Sequence, residues 1–279
     1  MLECAAVITY DDYLRFRSRY FPRQHEIAAD PAALCRFGEY RFACEQLELE
    51  PGLELLDLAC SSNIFQLFLA LLGLRVTGID IDARALDDLE PRRRHVEQVS
   101  GRRLDYRFEV SNAFSLPYPD ESYDRVISIS SVEHMFSDDG QSGDVLAVLE
   151  ARRVLRPGGR LVVTVPMSEG MPFHESRTGD DRYHLPYRLY TPAVLEERFH
   201  GLPGLDLVAQ AYVPHRVPLP DAEANEFMQF WMGRSYEGRA EWDRWAPILV
   251  DVFQSLVYLD ANPEGVTRAH TGLMAFVAC

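Results

Sequence analysis

Short apolar runs alternate with amphipathic segments through the middle of the chain. Apolar runs bounded by turn residues predict β-strands, and apolar positions at helical spacing predict helices. The predicted strands cover residues 53–58, 75–79, 105–110, 125–130, 160–165, 205–213 and 273–279. The predicted helices cover residues 65–72, 83–99 and 144–155, and another begins at Thr191–Pro192. Strands that alternate with helices predict a parallel sheet covered on both faces.

Two regions outside this alternation predict additional helices. Residues 10–49 mix aromatic and charged residues at helical spacing, with breaks at Pro22 and Asp30–Pro31, so we expect two or three helices there. The segment before the last strand is too long for a connection; its aromatic residues would line a substrate pocket or form a small core. We expect a Rossmann-like, seven-stranded, mostly parallel α/β core (50–213 and 271–279), an N-terminal helical cover (1–49) and a helical insertion or substrate cap (214–270).

Composition and charge exclude several classes of function. The net charge of −15 repels nucleic acid, and all 28 basic residues are Arg, so the lysine of a P-loop or a Schiff base is not available. Five cysteines without CxxC spacing favour reduced thiols in a cytoplasm over disulfides or a zinc site. The chain has no long apolar stretch and its start lacks a secretory signal. We therefore expect a soluble cytoplasmic protein that binds neither nucleic acid nor membrane; its lack of lysine favours a GC-rich bacterial genome.

Four segments carry the chemical interpretation, and they follow one another along the chain. They read LLDLACSSNIF, VTGIDID, EVSNAFSLPYPDESYDRVISISSVEHM and RVLRPGGRLVVTVP. In this order they resemble the motifs of class I S-adenosylmethionine-dependent methyltransferases, above all the small-molecule enzymes, over about residues 50–200. The resemblance implies S-adenosylmethionine as cofactor, S-adenosylhomocysteine as product, and an O, N or C atom of a small molecule as acceptor.

The first of these segments departs from the family pattern. Ala59, Ser61 and Asn63 stand where the family usually has glycine. S-adenosylmethionine carries no phosphate, so its loop needs no tight anion cradle, and a nicotinamide enzyme is the poorer interpretation. Asn63 tolerates left-handed backbone and is a candidate to cap the next helix. The alternative is a loop that has lost its ligand.

The resemblance also implies roles for single residues in binding the cofactor. Asp80 would accept the two ribose hydroxyls, and Ile81 would pack on the adenine face. Asp57 would lie near the charged tail of the donor, or would only order the loop. The complete set of expected cofactor residues is Asp57, Ala59, Ser61, Asn63, Asp80, Ile81, Asn112, Ala113 and Ser130.

Candidate catalytic residues fall into two places. His134 follows the fourth strand at its carboxyl end and is a candidate general base, although it would equally hydrogen-bond the loop. The segment 173–192 supplies further candidates to orient or deprotonate the acceptor, or to bind a carboxylate or phosphate on it: His174, Tyr183, His184, Tyr187, Arg177, Arg182 and Arg188. Its end, residues 187–190, would alternatively be structural. The histidine spacing matches no zinc signature, so we expect no metal site.

Two other functions are compatible with the same fold. One is an enzyme that uses the cofactor without methylating, such as a cyclase; the other is a non-catalytic regulatory subunit, for which the glycine-poor loop is the sequence support. The expected partner is a small-molecule substrate, and a homodimer is compatible with the sequence.

Overall fold

The computed structural model describes residues 8–21, 31–137, 142–167, 187–214 and 269–279. Within these ranges two helices precede the first strand, and helices then alternate with strands up to the fifth strand, except that the fourth strand follows the third with no helix between them. The helices are α1 (Tyr10–Tyr20), α2 (Pro31–Gln46), α3 (Phe65–Leu71), α4 (Arg84–Ser100), α5 (Gly143–Val154) and α6 (Pro192–Phe199). The strands are β1 (Glu54–Leu58), β2 (Arg75–Asp80), β3 (Tyr106–Val110), β4 (Tyr123–Ile129), β5 (Leu155–Pro166), β6 (Leu205–Pro214) and β7 (Ala269–Ala278). None of the helices in these ranges is long and apolar enough to cross a membrane.

One seven-stranded sheet organises the molecule, in the order β3-β2-β1-β4-β5-β7-β6. The first five strands are parallel, and β7 runs antiparallel to both β5 and β6. The predicted Rossmann-like α/β fold is thereby confirmed. The strand order reverses between β1 and β4, and in open sheets of this kind ligands bind outside the carboxyl ends of the strands at that reversal.

The predicted strand bounds are wrong by more than two residues at two places. β5 begins at Leu155 instead of residue 160, because Pro157–Gly159, which has the composition of a turn, lies within the strand at an irregularity in the pairing with β4. Gly158 has φ +76°, which a residue with a side chain adopts only at a cost. β7 begins at Ala269 instead of residue 273, and its pairing with β6 extends across that difference.

Side chains hydrogen-bond the free backbone N–H groups at the starts of three helices. Thr9 and Asp12 form a capping box at the start of α1, and Thr191 accepts the Val194 N–H at the start of α6, where Pro192 is the first residue. At the start of α4, Asp82 accepts the Arg84 N–H at 2.9 Å, although Ala83 holds the cap position.

Aromatic rings attach the N-terminal helices to the sheet. Tyr13 of α1 makes edge contacts with Tyr40 of α2 and with Phe65 and Phe68 of α3, with ring centroids 5.1 to 5.4 Å apart. Such contacts between buried rings stabilise the packing beyond the area they bury. Helices α1 and α2 therefore share one core with α3, the helix that follows the first motif.

Two residues of the segment from Tyr187 to Tyr190, Arg188 and Tyr190, are buried. Asp144 of α5 is fully buried and accepts hydrogen bonds at 2.7 Å from the Tyr190 hydroxyl and from Arg198 Nε. Arg188 is also buried, and its Nη1 donates to the Met135 carbonyl at 2.7 Å. The structural role considered for residues 187–190 agrees with these contacts, whereas binding of an acceptor by Arg188 does not.

Candidate active site at the carboxyl ends of β1, β2 and β4

The loop after β1 contains residues whose backbone is of the kind that glycine usually adopts. Ala59 has φ +52° and Ser61 has φ +47°, whereas Asn63 is not left-handed. A side chain in this conformation costs on the order of 1 kcal/mol, because Cβ approaches the carbonyl oxygen. At Ala59 and Ser61 the loop thus has the left-handed backbone conformation typical of glycine, and the small side chains of these two residues are strained there.

The Asp80 carboxylate fixes this loop to the end of β2. Its Oδ2 accepts the Ser61 N–H at 3.0 Å, and its Oδ1 accepts the Asp82 N–H at 2.9 Å. Each carboxylate oxygen has two lone pairs, so both can accept a further hydroxyl. The aspartate predicted to hold the ribose is therefore also the group that orders the first motif.

Asn63 joins the loop to the N-terminal cover. Its Oδ1 accepts the Phe65 N–H at 2.9 Å at the start of α3, where Ile64 and not the predicted Asn63 holds the cap position, and its Nδ2 donates to the Tyr40 hydroxyl. The Tyr40 ring stacks on Phe65 with centroids 4.3 Å apart and planes 5° apart. Sequence analysis did not identify Tyr40, because its contact with Asn63 joins residues that lie 23 positions apart.

The buried side-chain amide of Gln66 hydrogen-bonds the backbone of the loop after β1. Gln66 Nε2 donates to the Ser61 carbonyl at 3.3 Å, and Gln66 Oε1 accepts the Tyr106 hydroxyl at 2.9 Å. A Cβ at Gly78 would lie 2.5 Å from that same Oε1 and 2.8 Å from the Cys60 sulfur. Gly78 in the second motif is therefore required for close packing under the loop.

The ends of β2 and β3 present apolar surface beside Asp80. Ile81 is 76% exposed and Val110 is 60% exposed, which is unusual for side chains of this size. The Asn112 Oδ1 accepts the Phe114 N–H at 2.9 Å and so orders the turn that contains Ala113. An uncovered apolar face next to a carboxylate suits an adenine ring, as expected for Ile81.

A buried carboxylate from α2 reaches the ends of β4 and β5. Glu39 is fully buried and accepts hydrogen bonds from Thr164 Oγ1 at 2.7 Å, from Arg36 Nη1 at 3.0 Å and from the Ser130 hydroxyl. Ser130 has φ +43°, and its N–H donates to Thr164 Oγ1 at 2.9 Å. Glu39 and Thr164 together hold the strained turn that leads into Glu133–His134.

Two further carboxyl groups are buried close to this network. Burial raises the pKa of Asp57 well above its usual range, and the Asp80 carboxylate adds to that rise while Arg36 opposes it. Burial likewise raises the pKa of Glu133 to about 8, with Arg36 opposing. Both groups therefore hold protons at pH values where a solvated carboxyl is charged.

His134 is the candidate catalytic residue that the structure describes. Its side chain is 38% exposed, its Nε2 lies 3.9 Å from Glu133 Oε1, and its ring centroid lies 6.0 Å from that of Tyr187. The backbone N–H of His134 donates to the Ser131 carbonyl within the short 3₁₀ turn Val132–His134. The other three candidates, His174, Tyr183 and His184, lie outside the described residues, as do Arg177 and Arg182.

Sequence reasoning missed Arg36, Tyr40 and Glu39 of α2 and gave Glu133 no role of its own. Glu39 contacts residues 91 and 125 positions away, which no local pattern reports. A signal existed in the spacing of Arg36 and Glu39, three residues apart, as a charged pair on one helix face. Across the described ranges, no group of three His, Cys, Asp or Glu side chains is arranged to hold a metal ion.

Comparison with known proteins agrees with this geometry. Residues 56–163 match the family described as "Methyltransferase domain". The chain is 32% identical over 123 residues to demethylmenaquinone methyltransferase of Tropheryma whipplei (strain Twist), covering 44% of this chain and 46% of that protein. It is 35% identical over 118 residues to 27-O-demethylrifamycin SV methyltransferase of Amycolatopsis mediterranei (strain S699), covering 42% and 40%. The chain thus spans less than half the length of these relatives.

A solved structure extends the similarity to the whole chain at the level of fold. The [4+2]-cyclase SpnF superposes with a TM-score of 0.55, 19% identity and coverage of 98% of both chains. Residues 56–163 thus match a methyltransferase domain, and the strand order places that segment within a Rossmann-like α/β sheet. The chain is thereby identified as one that contains a methyltransferase domain in its α/β core.

From the left-handed backbone at Ala59 we predict the effect of a glycine at this position on the free energy of unfolding. Changing Ala59→Gly should raise the free energy of unfolding by about 0.5–1 kcal/mol, because relief of the steric cost exceeds the added entropy of the unfolded chain. Chemical denaturation measures this difference. The matched control is Ala151→Gly in the interior of α5, which should lower stability by about 1 kcal/mol. A loss of stability at both positions would contradict the strained backbone.

We predict that the free energy of unfolding falls with rising pH because of Glu133. Its pKa is about 8 when folded against 4.5 as a solvated group, so between these values the folded protein keeps a proton that the unfolded chain releases. Its contribution is therefore lost as the pH rises from about 4.5 to about 8. In Glu133→Gln the thermal midpoint should fall less between pH 6 and pH 8.5 than in the wild type. Glu45→Gln, on the exposed face of α2, should keep the wild-type fall; equal falls in all three proteins would refute the burial of a neutral Glu133.

Proposed function

We propose that this protein transfers the methyl group of S-adenosylmethionine to an O, N or C atom of a small molecule. The observation that carries the proposal is the Asp80 carboxylate, which ends β2, orders the loop after β1 and lies beside the exposed Ile81. This arrangement joins a hydrogen-bond acceptor for a sugar to an apolar face for a base. The named methyltransferase relatives support the same chemistry.

Two groups of the described residues would bind two parts of the donor, the adenosine and the methionine. Asp80 would accept the ribose hydroxyls, Ile81 and Ala113 would cover the adenine, and Asn112 would accept from its amino group. The loop residues and the buried acids behind them would face the methionine part, which carries both the sulfonium and the amino-acid charges. The residues proposed for that part are Asp57, Ala59, Ser61, Asn63 and Ser130.

His134 is the proposed group on the acceptor side. A sulfonium is already a reactive methyl donor, so holding the acceptor in line supplies much of the acceleration. A base is needed only where the acceptor carries a proton, and an imidazole accepts one near neutral pH. The half-exposed ring of His134 at the end of β4 suits that role. His174, Tyr183 and His184 stay proposed contributors from the segment after β5.

A cyclase-type enzyme that binds the same cofactor is the second candidate. The fold match to a [4+2]-cyclase extends over 98% of both chains, and a shared fold does not dictate the reaction. A regulatory subunit without chemistry is the third, favoured by the non-glycine residues of the loop. We further propose a reducing, cytoplasmic setting in a bacterium, consistent with the free thiols of Cys44 and Cys60, and a homodimer as a compatible assembly.

A screen of small-molecule acceptors with methyl-labelled donor separates these functions. Label in the acceptor together with stoichiometric S-adenosylhomocysteine supports methyl transfer. A product formed without S-adenosylhomocysteine supports the cyclase-type reaction. Donor binding without any product, across acceptors of all three atom types, supports the regulatory subunit.

Changing Asp80→Ala should weaken S-adenosylmethionine binding at least tenfold. The variant removes the proposed acceptor of the ribose hydroxyls and both hydrogen bonds that order the loop, each worth about 1.5–3 kcal/mol when the acceptor is charged. Isothermal titration calorimetry measures the affinity. The neighbouring Asp82→Ala removes an exposed carboxylate two residues away and should leave affinity within about twofold. Unaltered binding by Asp80→Ala would place the donor elsewhere.

Changing His134→Ala should lower kcat for a hydroxyl or amine acceptor by about a hundredfold or more, the usual contribution of a positioned base. Donor affinity should change little, because the proposed role concerns the acceptor. The control is His200→Ala, at the end of α6, where the imidazole contacts Gln210. A fall in donor affinity that matches the fall in kcat would show that His134 only orders the loop.

A further inference from the structure

Glu133 combines burial with an unsatisfied oxygen. The residue is 3% exposed, and within the described part of the chain its Oε2 has no hydrogen-bond partner. It lies at the carboxyl end of β4, three residues after Ser130, on the turn that Glu39 and Thr164 hold in place. A buried carboxyl oxygen without a partner costs free energy, so an unpaired one at a binding crevice indicates a missing interaction.

The charged and titratable groups around Glu133 come from several elements. From α2, Arg36 and Glu39 face it, and its neighbour His134 lies 3.9 Å away. From the chain after β5, the Tyr190 phenol is within its electrostatic reach. Asp57 of β1 faces the same Arg36 guanidinium. The Arg36 guanidinium thus lowers the pKa of both Asp57 and Glu133 while it donates to Glu39, and the buried Arg188 donates its backbone N–H to the Glu133 carbonyl.

Burial keeps Glu133 protonated and leaves its Oε2 without a partner, so a positive charge beside it would stabilise its ionised form. We infer that Glu133 is the group that makes the donor site prefer the cationic sulfonium of S-adenosylmethionine over the neutral thioether of S-adenosylhomocysteine. The inference rests on the proposed function, since it concerns the donor of that reaction. A positive charge within about 4–6 Å of a carboxyl favours its ionised form, whereas a thioether does not. Glu133 would thus release product without any change of shape.

The preference should depend on pH because Glu133 titrates. Burial holds its pKa near 8 in the empty site, and a sulfonium beside it would lower that value. For a lowering of about one unit, the ratio of the dissociation constants for S-adenosylhomocysteine and S-adenosylmethionine should rise about eightfold between pH 6 and pH 9. At pH 7.5 the binding of S-adenosylmethionine should release about half a proton that S-adenosylhomocysteine does not release.

Isothermal titration calorimetry of the full chain tests both statements. Each ligand is titrated from pH 6 to pH 9, and at pH 7.5 in buffers of different ionisation enthalpy to count protons. Glu133→Gln keeps the shape and the hydrogen-bonding atoms but cannot ionise. The amino groups of both ligands titrate in the same range, so the variant is the reference for their contribution. Glu45→Gln, which removes a carboxylate from the exposed face of α2, is the matched control.

The outcomes separate this inference from the proposed function. A pH-dependent ratio and a proton release that disappear in Glu133→Gln and persist in Glu45→Gln support it. Equal pH dependence in the wild type and Glu133→Gln, with both ligands bound, overturns it and leaves the proposed function intact. Should neither ligand bind to the wild type at any pH, the proposed function fails and the inference with it. A thermal midpoint for Glu133→Gln within a few degrees of the wild type at pH 6 verifies that the variant is folded.

Discussion

The hydrogen bond from the Ser61 N–H to the Asp80 carboxylate is the contact on which the site depends. It joins the loop after β1 to the end of β2, and it fixes that loop although Ala59 and Ser61 hold backbone angles that disfavour a side chain. Gln66 below the loop and Tyr40 beside it restrain the same backbone. Hydrogen bonds in place of the conformational freedom of glycine thus hold these strained residues.

The same contacts make the N-terminal helices part of the site. Helix α2 sends Tyr40 to the loop after β1 and Glu39 to the ends of β4 and β5, so one helix touches both sides of the crevice. Arg36, on the preceding turn of that helix, lowers the pKa of both Asp57 and Glu133 and so favours their charged forms. The segment predicted as an N-terminal helical cover therefore also shapes the electrostatic field at the candidate site.

Much of the fold followed from the sequence, because strands β1 to β5 are short apolar runs with clear turns between them. The misplaced start of β5 shows the limit: Pro157–Gly159 carries the composition of a turn, yet pairing with β4 continues on both sides of it as a bulge. At the site, Asp80 and Ile81 could be named because they end a strand within a motif. Glu39 and Tyr40 could not, because their roles exist only once residues far apart in the chain are brought together.

The buried acids give a physical basis for the proposed preference for one state of the donor. A carboxylate in solvent distinguishes a cation from a neutral ligand weakly, since water screens the difference, whereas a buried one does so strongly. Burial also tends to neutralise that carboxylate, as the raised pKa values of Asp57 and Glu133 show. The two effects balance when the pKa lies close to the working pH, because the group is then neutral in the empty site and ionises as the cation arrives. Glu133, at about 8, meets that condition, whereas an acid hydrogen-bonded to three donors, as Glu39 is, has its partners already.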